Sequence, residues 1–446
     1  MKIRLVIGSA AFGLGCASAA PRPGDEAAND RQCGVQLPPR SAPVSHGATS
    51  APVRKATGSQ IVVHLETALG PILAQLEERV QKRLAEGRAG IGPGGTVSYT
   101  AERGALALST TATTLVIETP VRARAEACRG ASCYASCEPQ ALVRAELPLM
   151  LRPDYGFAPA VVSLRFTQGC KVRALGGFLT IDLTPTIEGA LEPELRKVGR
   201  QIDRQLPDLR AEAEKLWREL HVPRELPLGA CVVLQPSGLV QGPLVPSRER
   251  LHARFAVLAT PELRSRCAEP SSAAPPSLPP LRLDPSLPDE GTVQLGMVTP
   301  LEGLTKSFTS SARVSAWGSD VDVAATMTGE VCGELAFTAR PDFSGTGEHI
   351  GLAQPHVSLS ERQRLLDSEV DPVALLRQLT AGARVTPLLS VQGFRTAAPA
   401  LATAQSQPKL DISAQVSSTR AAGAAARGDE LVAWLEARGS VTLRPK

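Results

Sequence analysis

The sequence predicts an α+β fold: long antiparallel sheets, each partnered by a long amphipathic helix, in two pseudo-repeated halves. Three observations predict it. The stretch SQIVVHLETALGPILAQLEERVQKRLAEG, Ser59 to Gly87, changes its hydrophobic rhythm midway from alternation to helical spacing. Between Thr96 and Pro185 the segments are rich in β-branched residues and alternation. A proline-rich run then divides the chain, and a similar series of elements starts again beyond it.

In the first half, residues 57–268, Ile61, Val63 and Leu65 alternate with Val62, His64 and Glu66, the period of a half-buried strand. From Pro71 the spacing Ile72, Leu76, Val80, Leu84 predicts one stripe of a helix. TVSYTAE turns at Arg103-Gly104 and returns as ALALSTTATTLVIETPVRARAEA; LVRAELPLML, VVSLRFTQGCKVRAL and FLTIDLTP continue a meander of long strands. A second helix, about Ile187 to Leu220, carries Leu191, Leu195, Val198, Ile202, Leu206, Leu209, Leu216 and Leu220, and Pro207 kinks or divides it. Strands ACVVLQP and LHARFAVLAT follow. Residues 269–290, including SSAAPPSLPPLRLDPSL, read as a connector. The second, looser half, 291–446, opens with the strand GTVQLGMV and a short helix in LEGLTKSFTSSA. A hairpin in DVDVAATMTGEVCGELAFTARPDF, the strand PHVSLSE and a helix over about 362–381 come next. LDISAQVSS reads as a strand, and DELVAWLEARGSVTLRPK as a short helix with a final strand.

The N-terminus sets the compartment. Lys2 and Arg4 precede an apolar run from Leu5 to Leu14 and then small residues, which reads as a secretory signal peptide too short for a stable membrane span. One cleavage site leaves Cys16 as the lipidated first residue of a lipoprotein. The other cuts after Ala17-Ser18-Ala19 and discards it. Residues 1–19 are thus the signal region, and 20–56, rich in Pro and Ala, read as a flexible tether. Eight cysteines remain without Cys16, an even number that predicts disulfides in an oxidising compartment. Cys128, Cys133, Cys137, Cys170, Cys231 and Cys267 are the leading candidates, Cys33 and Cys332 the others; spacing leaves the connectivity open. The net charge of +4 is small and mixed in sign, with no basic stripe interleaved with aromatics, which argues against nucleic acid. With 3% aromatic residues, the core must rest on Leu, Val, Ala and Ile.

No catalytic signature is present. Cys128, Cys133 and Cys137 match neither ferredoxin spacing and lack a nearby fourth ligand, so they read as disulfide partners rather than a metal site. His349 and His356, with Glu348 adjacent, fall in a glycine-rich loop without helical ligand spacing. GIGPGGT follows a helix and precedes a strand, the reverse of a phosphate cradle. No nucleophile elbow or dinucleotide fingerprint appears, and no cofactor or metal is expected.

From Leu216 to Leu263 the chain carries Trp217, Leu220 and Pro223 at a helix end, then Leu234 and Pro236 in a strand. With the opening Ser59, Ile61 and Val63, and more weakly GEVCGELAFTARPDF, these resemble a family of bacterial lipoproteins known as domain of unknown function 4403. The tryptophan which that family's strand carries is absent near Val232. The resemblance implies a fold similar to tubular lipid-binding (TULIP, BPI-like) proteins, with strongly curved sheets each wrapped round a long helix. Ile72, Leu76, Val80, Leu84, Leu195 and Ile202 would then line an apolar tube, each buried methylene stabilising a lipid by roughly 0.8 kcal/mol. Two functions follow. One is an exported, membrane-anchored lipoprotein, at the outer membrane facing the periplasm or the surface, that binds lipid or another apolar ligand. The alternative is a non-catalytic structural or protein-interaction module of the envelope with a filled core.

Overall fold

Alternation wins over helical spacing across most of the chain. The computed structural model describes residues 33–40 and 58–445, apart from 91–94, 112, 131, 175–178, 206–208, 227–229, 247–248, 268–274, 407 and 409. The signal region, Cys16 and Pro207 lie outside the described residues.

The first described element belongs to the second half. Strand β1 (Val35–Gln36) lies parallel to Val331–Cys332, Cys33 is disulfide-bonded to Cys332, and Leu37 is buried in the second half's core. Residues 33–40, which composition assigns to a flexible tether, are therefore fastened into the fold. In the first half, β2 (Ser59–Ala68) runs directly into helix α1 (Leu69–Arg79). The helix stops sooner than its stripe predicts: Val80 is already extended, and Leu84 lies in β3 (Arg83–Gly90). The cause is pairing with β4 (Gly95–Arg103), in which Gly87 lies opposite Tyr99. A Cβ at Gly87 would lie 2.8 Å from the Tyr99 hydroxyl, so the ring in its present position packs over a residue without a side chain.

Then come β5 (Ala107–Thr110), β6 (Thr114–Arg129), β7 (Ser132–Cys137), β8 (Gln140–Pro148) and β9 (Val161–Gln168). They form a seven-stranded sheet of order β3-β4-β6-β8-β9, with β5 and β7 also paired to β6. On β6, Val121, Ala123, Ala125 and Ala127 are buried while Arg122 and Arg124 are exposed, the two-residue period at work. A small hairpin of β10 (Lys171–Ala174) and β11 (Leu179–Asp182) leads to α2 (Thr184–Gln205) and α3 (Leu209–Leu220). The half closes with β12 (Arg224–Glu225), β13 (Cys231–Pro246) and β14 (Arg250–Arg264). The connector is pinned back onto it: Trp217 Nε1 donates to the Pro276 carbonyl at 2.9 Å and the Tyr155 hydroxyl to Pro279 at 2.7 Å. Beyond them, β15 (Arg282–Leu283) joins β13.

The second half comprises β16 (Gly291–Pro300), α4 (Glu302–Ser307), β17 (Ser311–Trp317), β18 (Asp320–Met327), β19 (Val331–Phe343) and β20 (Ile350–His356). Helices α5 (Leu359–Asp367), α6 (Pro372–Ala381) and α7 (Val391–Ala404) follow, then β21 (Leu410–Arg427) and β22 (Glu430–Pro445). Pro372 at the head of α6 divides what reads in sequence as one helix over 362–381. Residues 430–445, expected to begin as a helix, are one strand, because β22 is paired along its length to β21 on one side and to β16 and then β2 on the other.

One sheet joins the halves, and its pairing has a two-fold pattern. β2 lies antiparallel to β14 (Ser59 opposite Ala259) and parallel to β22 (Val62 opposite Ser440). β16 lies antiparallel to β22 (Leu295 opposite Leu435) and parallel to β14 (Gly296 opposite Glu262). Both opening strands thus occupy the slot between β14 and β22. They meet at Gly291, where a Cβ would lie 1.9 Å from the Gln60 carbonyl oxygen, so only glycine fits. Ser59 closes the meeting point, its hydroxyl accepting from the Gln294 N–H at 2.8 Å.

This architecture overturns the predicted fold class. The chain is mostly strand, its helices are short beside the sheets, and no long amphipathic helix is wrapped by a sheet among the described residues. The stripe over 72–84 is shared between a helix and a strand, and the helix over 187–220 is two. The TULIP-like arrangement implied by the family resemblance is therefore not the fold adopted.

Candidate functional site

The residues expected to line a tube do not share one cavity. Leu84 and Leu195 are half-buried against the first half's core, beside Ile187, Leu191, Val97 and Ala125. Leu76 is half-buried on α1, and Val80 follows that helix as its cap. The side chains of Ile72 and Ile202 lie outside the described residues. Helix α1 is held to the sheet by charge: buried Arg103 reaches Glu77 at 2.6 Å and donates to the carbonyls of Glu77 and Val80 at 2.9 and 2.7 Å. Glu77 also accepts from the Leu106 N–H, and that bond, with Arg103, keeps its carboxyl below the ordinary range. The guanidinium satisfies carbonyls that the end of a helix leaves open.

All eight described cysteines are paired: Cys33–Cys332, Cys128–Cys133, Cys137–Cys170 and Cys231–Cys267. Cys128–Cys133 closes the turn between β6 and β7, and Cys137–Cys170 ties β7 to the loop before β10. No grouping of three His, Cys, Asp or Glu is placed to hold a metal among the described residues.

The joining sheet carries two ionic clusters that sequence reading missed. In one, Glu262 on β14 meets Arg427 at 2.7 Å and Arg264 at 2.8 Å, and both guanidiniums reach Glu430 at 3.0 and 2.9 Å. Burial alone would raise the Glu262 carboxyl; hydrogen bonds from Arg427 and Arg264 overcome it and hold the group ionised. In the other, Glu66 on β2 accepts from Arg444 on β22 at 2.6 Å and has Arg250 and His252 of β14 nearby. Its carboxyl is lowered chiefly by the Arg444 hydrogen bond. Partners such as Glu66 and Arg444 are 378 residues apart, so no local spacing announces them.

Two open hollows carry charged side chains in their linings. One, of about 390 Å³, is lined by Asp342, Ser344, Thr346, Glu348, His349 and Arg384. The other, of about 400 Å³, lies over Glu86, Arg88, Ser98, Thr100, Arg124 and Glu126. His349 sits in a tight turn whose ends are joined by Ser344 N–H to His349 carbonyl at 2.9 Å, with Gly347 at positive φ. His356 lies at the end of β20, opposite Thr338.

No curated protein matches the chain. A family model, Domain of unknown function (DUF4403), matches residues 57–444, which takes in both halves and the sheet that joins them, and the chain belongs to that family.

Proposed function

We propose that this is an exported lipoprotein of the cell envelope, anchored through Cys16 at the outer membrane, that acts as a non-catalytic structural or protein-interaction module. The observation that carries the reading is the pairing of all eight described cysteines. Disulfides at this density persist in oxidising compartments and are rare where thiols are kept reduced. The electrostatics support a structural role. Glu66, Glu77, Glu262 and Glu436 are all held low by arginine or backbone partners, so their charge is already spent on fastening one element to another. A general acid or base needs the reverse, a value poised near the working pH.

The test is mass spectrometry of the mature chain from the envelope fraction, with alkylation before reduction. The expected result is an N-terminal peptide starting at S-acylated Cys16 and no alkylation of the other eight cysteines. A chain found in the cytosol with free thiols would sink the reading. Native spectra after lipid extraction add a second arm: stoichiometric phospholipid retained by the protein would replace the interaction module with a lipid carrier.

A further inference from the structure

Helices α5 and α6 touch, and each leaves large apolar side chains exposed. Leu359 is 83% exposed, Leu366 50% and Val373 58%. Leu359 and Leu366 are two turns apart on one side of α5, with exposed Arg362, Gln363 and Asp367 beside them. The other side of α5 is held down by buried Leu365 and Glu361. The same helix receives the N-terminal segment: Arg40 contacts Glu361 at 2.8 Å, and Arg364 donates to the Pro38 carbonyl at 2.6 Å. Cys33–Cys332 makes that attachment covalent.

We propose that the α5–α6 face is the surface this protein lays against a phospholipid bilayer. The proposal rests on the reading of Cys16 as the lipidated residue. A membrane-entering Cys16 is connected to the folded body at Cys33, and the chain between them reaches at most about 60 Å fully extended. Because Cys33 is clipped to the second half, the tether delivers that half to the membrane. Confinement raises the local concentration of bilayer around α5, so a few inserted side chains suffice where they would not for a free protein. Arginine beside the leucines suits a headgroup layer, where an apolar stem lies in the acyl boundary and the cation stays among phosphates. Leu359, Leu366 and Val373 are the inserting residues, and the first half is carried by the joining sheet rather than by the anchor.

The test uses the full lipidated chain in phosphatidylethanolamine–phosphatidylglycerol vesicles containing brominated phospholipid, which quenches nearby tryptophan. Leu366→Trp is compared with Val161→Trp, an exposed position of the first half, each against the parent chain. The expected result is at least two-fold stronger quenching of the added tryptophan at 366, lost when Leu359 and Val373 are also changed to Asp. Equal or stronger quenching at 161 overturns the proposal. Intact mass separates the two failures: unmodified Cys16 ends the anchoring reading and this proposal with it, whereas acylated Cys16 with an unquenched 366 ends this proposal alone. A dimer by sedimentation that Leu366→Asp dissociates would assign the face to a second copy and overturn it equally.

Discussion

The two halves solve the same packing problem with different materials. The first half's core is thin and rich in small side chains: Ala85, Ala101, Ala123, Ala125 and Ala127 beside Val97, Val121 and Val143. The second half's core is filled by Leu304, Phe308, Leu335, Phe337, Leu365 and Leu376. Small side chains remove less apolar area from water, at about 25 cal/mol per Å². The alanine-rich half carries the Cys128–Cys133 and Cys137–Cys170 bonds within its strand region, and the leucine-rich half has only the clip to Cys33 among the described residues. Covalent staples and large side chains are here alternative ways of holding a sheet in place.

That comparison can be broken most forcefully from the second half. Phe337→Ala leaves a hole at a position 1% exposed and is expected to cost about 3–5 kcal/mol, read as a lower urea midpoint. A loss under 1 kcal/mol would mean that the large core is not what holds this half. In the first half, replacing Cys137 and Cys170 by Ser opens a closed loop and is expected to cost about 3–4 kcal/mol in thermal unfolding. An unchanged melting temperature would show that alanine packing alone suffices there.

The sheet between the halves adds an acid dependence. Glu66 and Glu262 are held below the ordinary carboxylate value of 4.5. Their stabilisation is complete above the unfolded value and is lost as pH falls through the lower folded values, so stability should decline below about pH 4.5. Glu262→Gln should cost about 2–3 kcal/mol at neutral pH, given partly exposed arginine partners, and flatten the acid decline seen in unfolding curves. An acid limb unaltered by that change would place the dependence elsewhere. The smallest effect sharpens the contrast between helices. Ser358 caps α5 by accepting from the Glu361 N–H at 3.2 Å, whereas α1 has no side-chain cap at its start and is held by Arg103 at its end. Ser358→Ala should cost about 1 kcal/mol by calorimetry, with no change in the first half's exchange protection.

Much of the strand content was legible because alternation is a local signal. Ser59–Ala68, the run through Val121, Ala123 and Ala125, and LDISAQVSS at the start of β21 show the two-residue period in the sequence itself. Spacing alone predicts more helix than the chain forms. Ile72, Leu76, Val80 and Leu84 are four apart, yet the last lies in a strand, since pairing with β4 outweighs a stripe of four side chains. Glu430–Pro445 reads in part as helix because the strands on one of its sides, β16 and β2, come from far earlier in the chain. The N-terminal segment looked like linker by composition, and only its covalent partner nearly three hundred residues away reveals otherwise. Of the candidate site, the cysteines were visible as residue types, while the ionic clusters and the α5–α6 face depend on which distant elements the fold brings together.

The register of β2 against β22 has a consequence for how the chain is made. Val62 precedes its neighbour Ser440 by almost the whole span of the fold, so the two meet late. Until the final strand arrives, β16 lacks its longer neighbour and β2 one of its two. Unpaired edges of this kind recruit other chains and attract proteases. A chain lacking β22 would therefore leave both opening strands with open edges. The joining sheet thus closes only when its most widely separated strands have met.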